Sequence, residues 1–132
     1  MSPAAPDELD DAAFVDGFER GDLVAFPHRA HVRLAWIYLG QAPLAEAAIR
    51  FVAGLRRFAS ARGVPGLYHE TITWAYLLWI HDCRRRTPAA SFDEFARAHA
   101  ELFERDGLLR FYRAETLASN EARGCFVLPD GR

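Results

Sequence analysis

The stretch from Phe26 to Leu39, FPHRAHVRLAWIYL, constrains the fold of this chain more than any other. Its pattern predicts a helix. Pro27 suits a first turn, where its missing N–H would have had no partner, and no further proline or glycine follows until Gly40. At about 100° per residue, Val32, Leu34, Ala35, Tyr38 and Leu39 share a broad apolar arc, which leaves Arg29 and Arg33 on a narrow polar edge. A helix apolar over so much of its circumference is packed on several sides, and that predicts the central helix of an all-α bundle. His28 and His31 fall inside the same arc, one turn apart, so two imidazoles are aimed at the core.

The other segments supply the neighbours such a helix needs. Residues 1 to 7 form a Pro/Ala-rich, acidic lead-in that is expected to fray, and Asp7 to Arg20 make a short helix with Phe14 and Phe18 as an i, i+4 core pair. Leu44 to Arg62 are strongly amphipathic, with Leu44, Ala48, Phe51, Leu55 and Phe58 on one face. The Gly63-Val64-Pro65-Gly66 break is followed by a fourth helix, Leu67 to Cys83, with Tyr68, Ile72, Tyr76, Trp79, Ile80 and Cys83 inward. Ser91 and Glu94 form a capping box that opens a fifth helix to Arg105, with Phe92, Phe95, Leu102 and Phe103 inward. Beyond Gly107 the pattern weakens, predicting a short helix from Leu108 to Arg113 and an irregular tail docked through Phe126 and Leu128. Alternating strand patterns never persist. The expectation is therefore an all-α single domain over residues 1–132, an antiparallel bundle of about five main helices plus a short C-terminal helix and tail.

Composition removes several function classes. All 16 basic residues are arginine, so Schiff-base chemistry, a Ser-Lys dyad and a phosphate-binding P-loop are excluded. A net charge of −2 without a basic excess argues against nucleic acid as a partner. Cys83 and Cys125 are far apart and neither belongs to a C-x-x-C pair, which reads as a reduced intracellular protein rather than a disulfide scaffold. No signal-peptide pattern or membrane-spanning run is present, so a soluble cytoplasmic protein with no membrane partner is expected. A chain of 132 residues buries enough surface to fold unaided, and a bound metal would be there for function.

The histidines carry the functional expectation. Short connections make consecutive helices antiparallel, so the second and fourth helices run the same way and their first turns share one pole of the bundle. His28 and His31 open one, and His69 opens the other. Neutral imidazole is the commonest ligand for zinc, copper and iron, and an i, i+3 pair facing a third histidine is a bundle metal site with open positions. Metal ligands are thus expected at His28, His31 and His69. His99, at the centre of the fifth helix's inner face, is expected as a fourth ligand or as an acid/base. Glu70 projects about 100° away from His69 and is read as an outer carboxylate or as the orienting group of a histidine base. Tyr38 and Tyr68 lie near the same pole, with Tyr38 the second candidate orienting group.

The segments Phe26-Pro-His-Arg-Ala-His31 and Ala35-Trp-Ile-Tyr-Leu39, taken with Leu67-Tyr-His-Glu-Thr-Ile-Thr73, resemble a group of small bacterial all-helical proteins, from residue 13 to the tail. That resemblance implies that the two segments work as one unit and implies no activity for particular residues. The arrangement is also similar to DinB-like metal-binding bundles with three histidines on two helices, although those usually pair their histidines at i, i+4 late in the chain. The expected function is a small metalloenzyme holding one divalent transition metal, iron, copper or zinc, and acting on a small organic molecule by oxidative, hydrolytic or lyase chemistry. A metal-free histidine acid/base enzyme and a non-enzymatic helical interaction module are the rivals. A second copy of the chain is a candidate partner.

Overall fold

The computed structural model describes residues 5–131 and is all-α, with no strand among the described residues. The chain divides between Pro65 and Gly66 into two compact units.

The first unit is built on three helices, α1 (Asp11–Arg20), α2 (His28–Gln41) and α3 (Leu44–Ala61). Asp10 caps α1 by accepting from the Ala13 amide at 2.8 Å, and Gly21 ends it in the left-handed conformation at φ 75. Phe14, Val15 and Phe18 face inward from α1, which packs against α3. The contact is close at Gly54, where a Cβ would lie 2.8 Å from the Phe18 ring. Pro27 is the N-cap of α2 rather than a first-turn residue, and the helix runs through Gly40 to Gln41. Ala30, Val32 and every residue from Leu34 to Leu39 are buried, as the broad apolar arc requires.

Two features of this unit depart from the pattern. Arg33, placed on the polar edge of α2, has a side chain only 13% exposed. It donates to the carbonyls of Pro6 and Leu9 at 3.0 and 2.8 Å, meets Asp11 at 2.9 Å, and lies over the Phe14 ring. The guanidinium thereby ties down part of the expected loose lead-in, where Pro6–Glu8 form a 3-10 turn with Pro6 buried. The rest of the fraying expected there, over residues 1–4, lies outside the described residues.

The second unit is organised on α4 (Glu70–Arg86). It begins three residues later than its apolar pattern suggests, because Pro65–Leu67 form a 3-10 turn and His69 is extended, acting as N-cap. Thr71, Thr73, Leu77, Ile80 and Cys83 are its buried residues, while Ile72, Tyr76 and Trp79 are half-buried. Ser91 caps α5 (Phe92–Ala98) as expected, accepting from the Glu94 amide at 3.2 Å. The helix stops short of Arg105, however. His99, at φ −128 and ψ 58, breaks it, and the chain continues as a 3-10 turn, Ala100–Phe103.

Another 3-10 turn, Gly107–Arg110, takes the place of the helix expected from Leu108, and two short helices follow, α6 (Ala114–Leu117) and α7 (Asn120–Gly124). The tail docks by polar contacts rather than through Phe126 and Leu128, which are 38% and 73% exposed. Thr71 donates to the Cys125 carbonyl at 2.9 Å and accepts from the Val127 amide at 3.1 Å, while the Tyr112 hydroxyl donates to the Val127 carbonyl at 2.7 Å. Asp130 accepts from the Arg113 amide and the Thr116 hydroxyl, and the Gly131 amide donates to Phe111. Backbone strapped this way satisfies buried polar groups that apolar docking would have left unpaired. Among the described residues no helix is long and apolar enough to cross a membrane.

Candidate metal centre

Each histidine expected as a ligand already has a structural setting within its own unit. His28 lies exposed at the first position of α2. His31, a turn further on, packs its ring 4.1 Å from that of Phe26 and has Nδ1 3.0 Å from the Pro27 carbonyl, so Nδ1 carries a proton and donates it. Burial pushes its titration down to about 4, against the Pro27 hydrogen bond, with His28 adding to the fall. The ring is therefore neutral near neutrality.

His69 spends both ring nitrogens on backbone. Its Nδ1 accepts from the Ile72 amide at 3.1 Å, which places the proton on Nε2, and Nε2 donates to the Leu117 carbonyl at 2.8 Å. Neither nitrogen offers a spare lone pair in this arrangement. Glu70 accepts from the Tyr68 hydroxyl at 2.5 Å. Tyr38 is almost fully buried and donates to Glu19 at 2.6 Å, with Arg50 stacked 4.1 Å over its ring and bonded to the same carboxylate. Burial, reinforced by that carboxylate, raises the Tyr38 hydroxyl far above neutrality. Through these contacts Tyr38 ties α2 to both α1 and α3.

A different group comes together in the second unit. Cys83, in the last turns of α4, meets His99 and Glu101, and one ligand atom from each lies within 4.8 Å of the other two. Sequence periodicity put His99 in mid-helix. Instead it ends α5, and the turn it begins carries Glu101 two residues on, back toward the same ring. His99 Nδ1 is 3.0 Å from Glu101 Oε1. Its Nε2 is buried and, among the described residues, has no hydrogen-bond partner. The Phe95 ring packs against the imidazole at 5.0 Å.

The electrostatics suit a cation. Burial raises the Cys83 thiol, and the nearby Glu101 charge raises it further against the pull of Arg86, so without a cation the sulfur stays protonated. Burial also pushes Glu101 upward, but its own backbone N–H, the hydrogen bond with His99 and the neighbouring Arg110 outweigh that and leave an ionised carboxylate. A sulfur, a nitrogen and a carboxylate oxygen so close together are the donor types of a borderline transition metal. Of the three, only His99 stood out in the sequence. Cys83 reads as one inward residue among several, and nothing in the sequence points to Glu101, because the break at His99 has no proline or glycine to mark it.

Comparison with protein-family models, with curated proteins and with solved structures finds no match for the chain.

Proposed function

We propose that the second unit carries a mononuclear transition-metal centre made by Cys83, His99 and Glu101, and that this centre is the working part of a small metal-dependent enzyme. The observation that carries the proposal is the grouping of three unlike donors, one atom of each within 4.8 Å of the others, at a histidine whose Nε2 is buried and, among the described residues, without a partner. An orphaned buried nitrogen costs about 1–3 kcal/mol, and a metal bond removes that cost. Thiolate and imidazole favour zinc and its neighbours over magnesium or calcium, which take oxygen ligands. With three protein donors at most, the metal keeps at least one position for water or substrate. Such a position activates water or polarises a carbonyl, so hydrolytic or lyase chemistry on a small organic molecule fits the donor set best. A reducing, cytoplasmic setting suits the centre, since Cys83 must stay reduced to bind as a thiolate.

A metal-free reading rests on the 3.0 Å contact of His99 with Glu101, which resembles a base and its orienting carboxylate. Cys83 is a poor nucleophile for it, being 1% exposed with a raised thiol titration. Cobalt(II) substitution separates the two. The metal centre predicts a thiolate-to-cobalt charge-transfer band that disappears in Cys83→Ser, whereas cobalt with no such band in the wild-type protein would leave only the metal-free reading.

A further inference from the structure

We infer that Glu101 is a positioning residue that acts through His99, fixing its proton on Nδ1 so that Nε2 is the nitrogen that meets the metal. The inference rests on the metal centre proposed above and narrows it: Cys83 and His99 hold the metal, and Glu101 reaches it only through His99. Two arrangements are open to a histidine with a carboxylate at one nitrogen and nothing at the other. In the first, the metal takes Nδ1, the hydrogen bond to Glu101 is lost, and the proton moves to Nε2. That N–H would then be buried with no acceptor, which is the costlier kind of orphan. In the second, Nδ1–H goes on donating to Glu101 Oε1 at 3.0 Å and the lone pair of Nε2, unpartnered among the described residues, goes to the metal. Every nitrogen of the ring is then satisfied.

The second arrangement also needs the least movement. His99 is 9% exposed and its ring is packed on Phe95, so a flip would disturb a filled core. A carboxylate on the far nitrogen makes imidazole a stronger donor and holds its plane, which is the usual outer partner of a metal-bound histidine. Glu101 is well placed for that task, two residues on from His99 and with its Oε1 already at Nδ1. The coordination positions it leaves are filled by water or substrate.

Full-length protein with isotope-labelled histidine and cysteine tests the inference by nitrogen and cadmium NMR, with His99 assigned through its loss in His99→Gln. Before metal is added, the His99 nitrogens should show the Nδ1–H tautomer in the wild type and in Glu101→Gln, whose amide oxygen can still accept, and a mixture of tautomers in Glu101→Ala. On addition of cadmium, coupling should appear at Cys83 and at His99 Nε2, and Glu101→Gln should weaken binding about 10- to 100-fold while keeping both couplings. Coupling at Nδ1, or unchanged affinity in Glu101→Gln, would overturn the positioning role while leaving the metal centre standing. Absence of coupling at both Cys83 and His99 would remove the centre itself.

Discussion

His69 Nε2 lies 2.8 Å from the carbonyl oxygen of Leu117, so the residue that caps α4 also holds α6. With Nδ1 accepting from the Ile72 amide, the ring is a two-ended brace inside the second unit. His69→Ala should cost about 2–3 kcal/mol, the sum of a lost cap and a partly buried carbonyl left unpaired. His69→Asn keeps the cap without the reach to Leu117 and should recover about 1 kcal/mol of it. Urea denaturation measures both, and zinc uptake by His69→Asn should match the wild type.

His31 predicts an acid sensitivity with a defined sign. In the unfolded chain it binds a proton near its ordinary value of 6.5, whereas in the folded chain burial delays protonation to about 4. Across that window the unfolded state binds more protons, so stability falls as pH falls from 6.5 toward 4 and loses nothing further from this group below. The full effect is at most about 3 kcal/mol. Stability of His31→Phe against pH should be flatter over the same window. Equal slopes in the two proteins would show that His31 is not the group responsible.

Gly54 reverses the usual helix rule. In mid-helix, Gly→Ala ordinarily gains about 1 kcal/mol. Here the new Cβ would stand 2.8 Å from Phe18, whose ring is already packed 5.5 Å from that of Phe58 and 4.7 Å from that of Phe26. Overpacking of this kind costs about 1–3 kcal/mol, so Gly54→Ala should be destabilising on balance, by about 1 kcal/mol. Thermal unfolding measures the sign, and Gly54→Ala combined with Phe18→Leu should be less destabilised than the sum of the two single changes.

What could be read from the sequence divides along physical lines. The buried run of α2, the Ser91 cap and the inward faces of Phe14, Phe18, Phe51 and Phe95 follow from local pattern, and the structure has them so. His69 as a brace was not legible, because its partner Leu117 is 48 residues away and neither residue advertises the other. The docking of the tail through Thr71 and Tyr112 was hidden for the same reason: hydrogen bonds to backbone leave no trace in hydrophobic periodicity. The Cys83, His99 and Glu101 group depended on a helix ending at His99 without glycine or proline, which pattern extends smoothly to Arg105. The inward setting of His99 does follow from the pattern, and the residue is buried.

Metal binding should be visible as stability. A ligand that binds only the folded chain, present at 100 times its dissociation constant, adds about 2.7 kcal/mol. Zinc should therefore raise the midpoint of thermal unfolding of the wild type, and a chelator should reverse the rise. His99→Ala, which removes the orphaned nitrogen, should not respond.

The proposed centre meets its most direct test in zinc stoichiometry, measured by elemental analysis of protein produced without a histidine tag, loaded with zinc and passed through a desalting column. A mononuclear centre at Cys83, His99 and Glu101 predicts one equivalent retained by the wild type, and none by Cys83→Ser or His99→Ala. Wild-type protein that emerges without zinc, or variants that retain as much as the wild type, would contradict it.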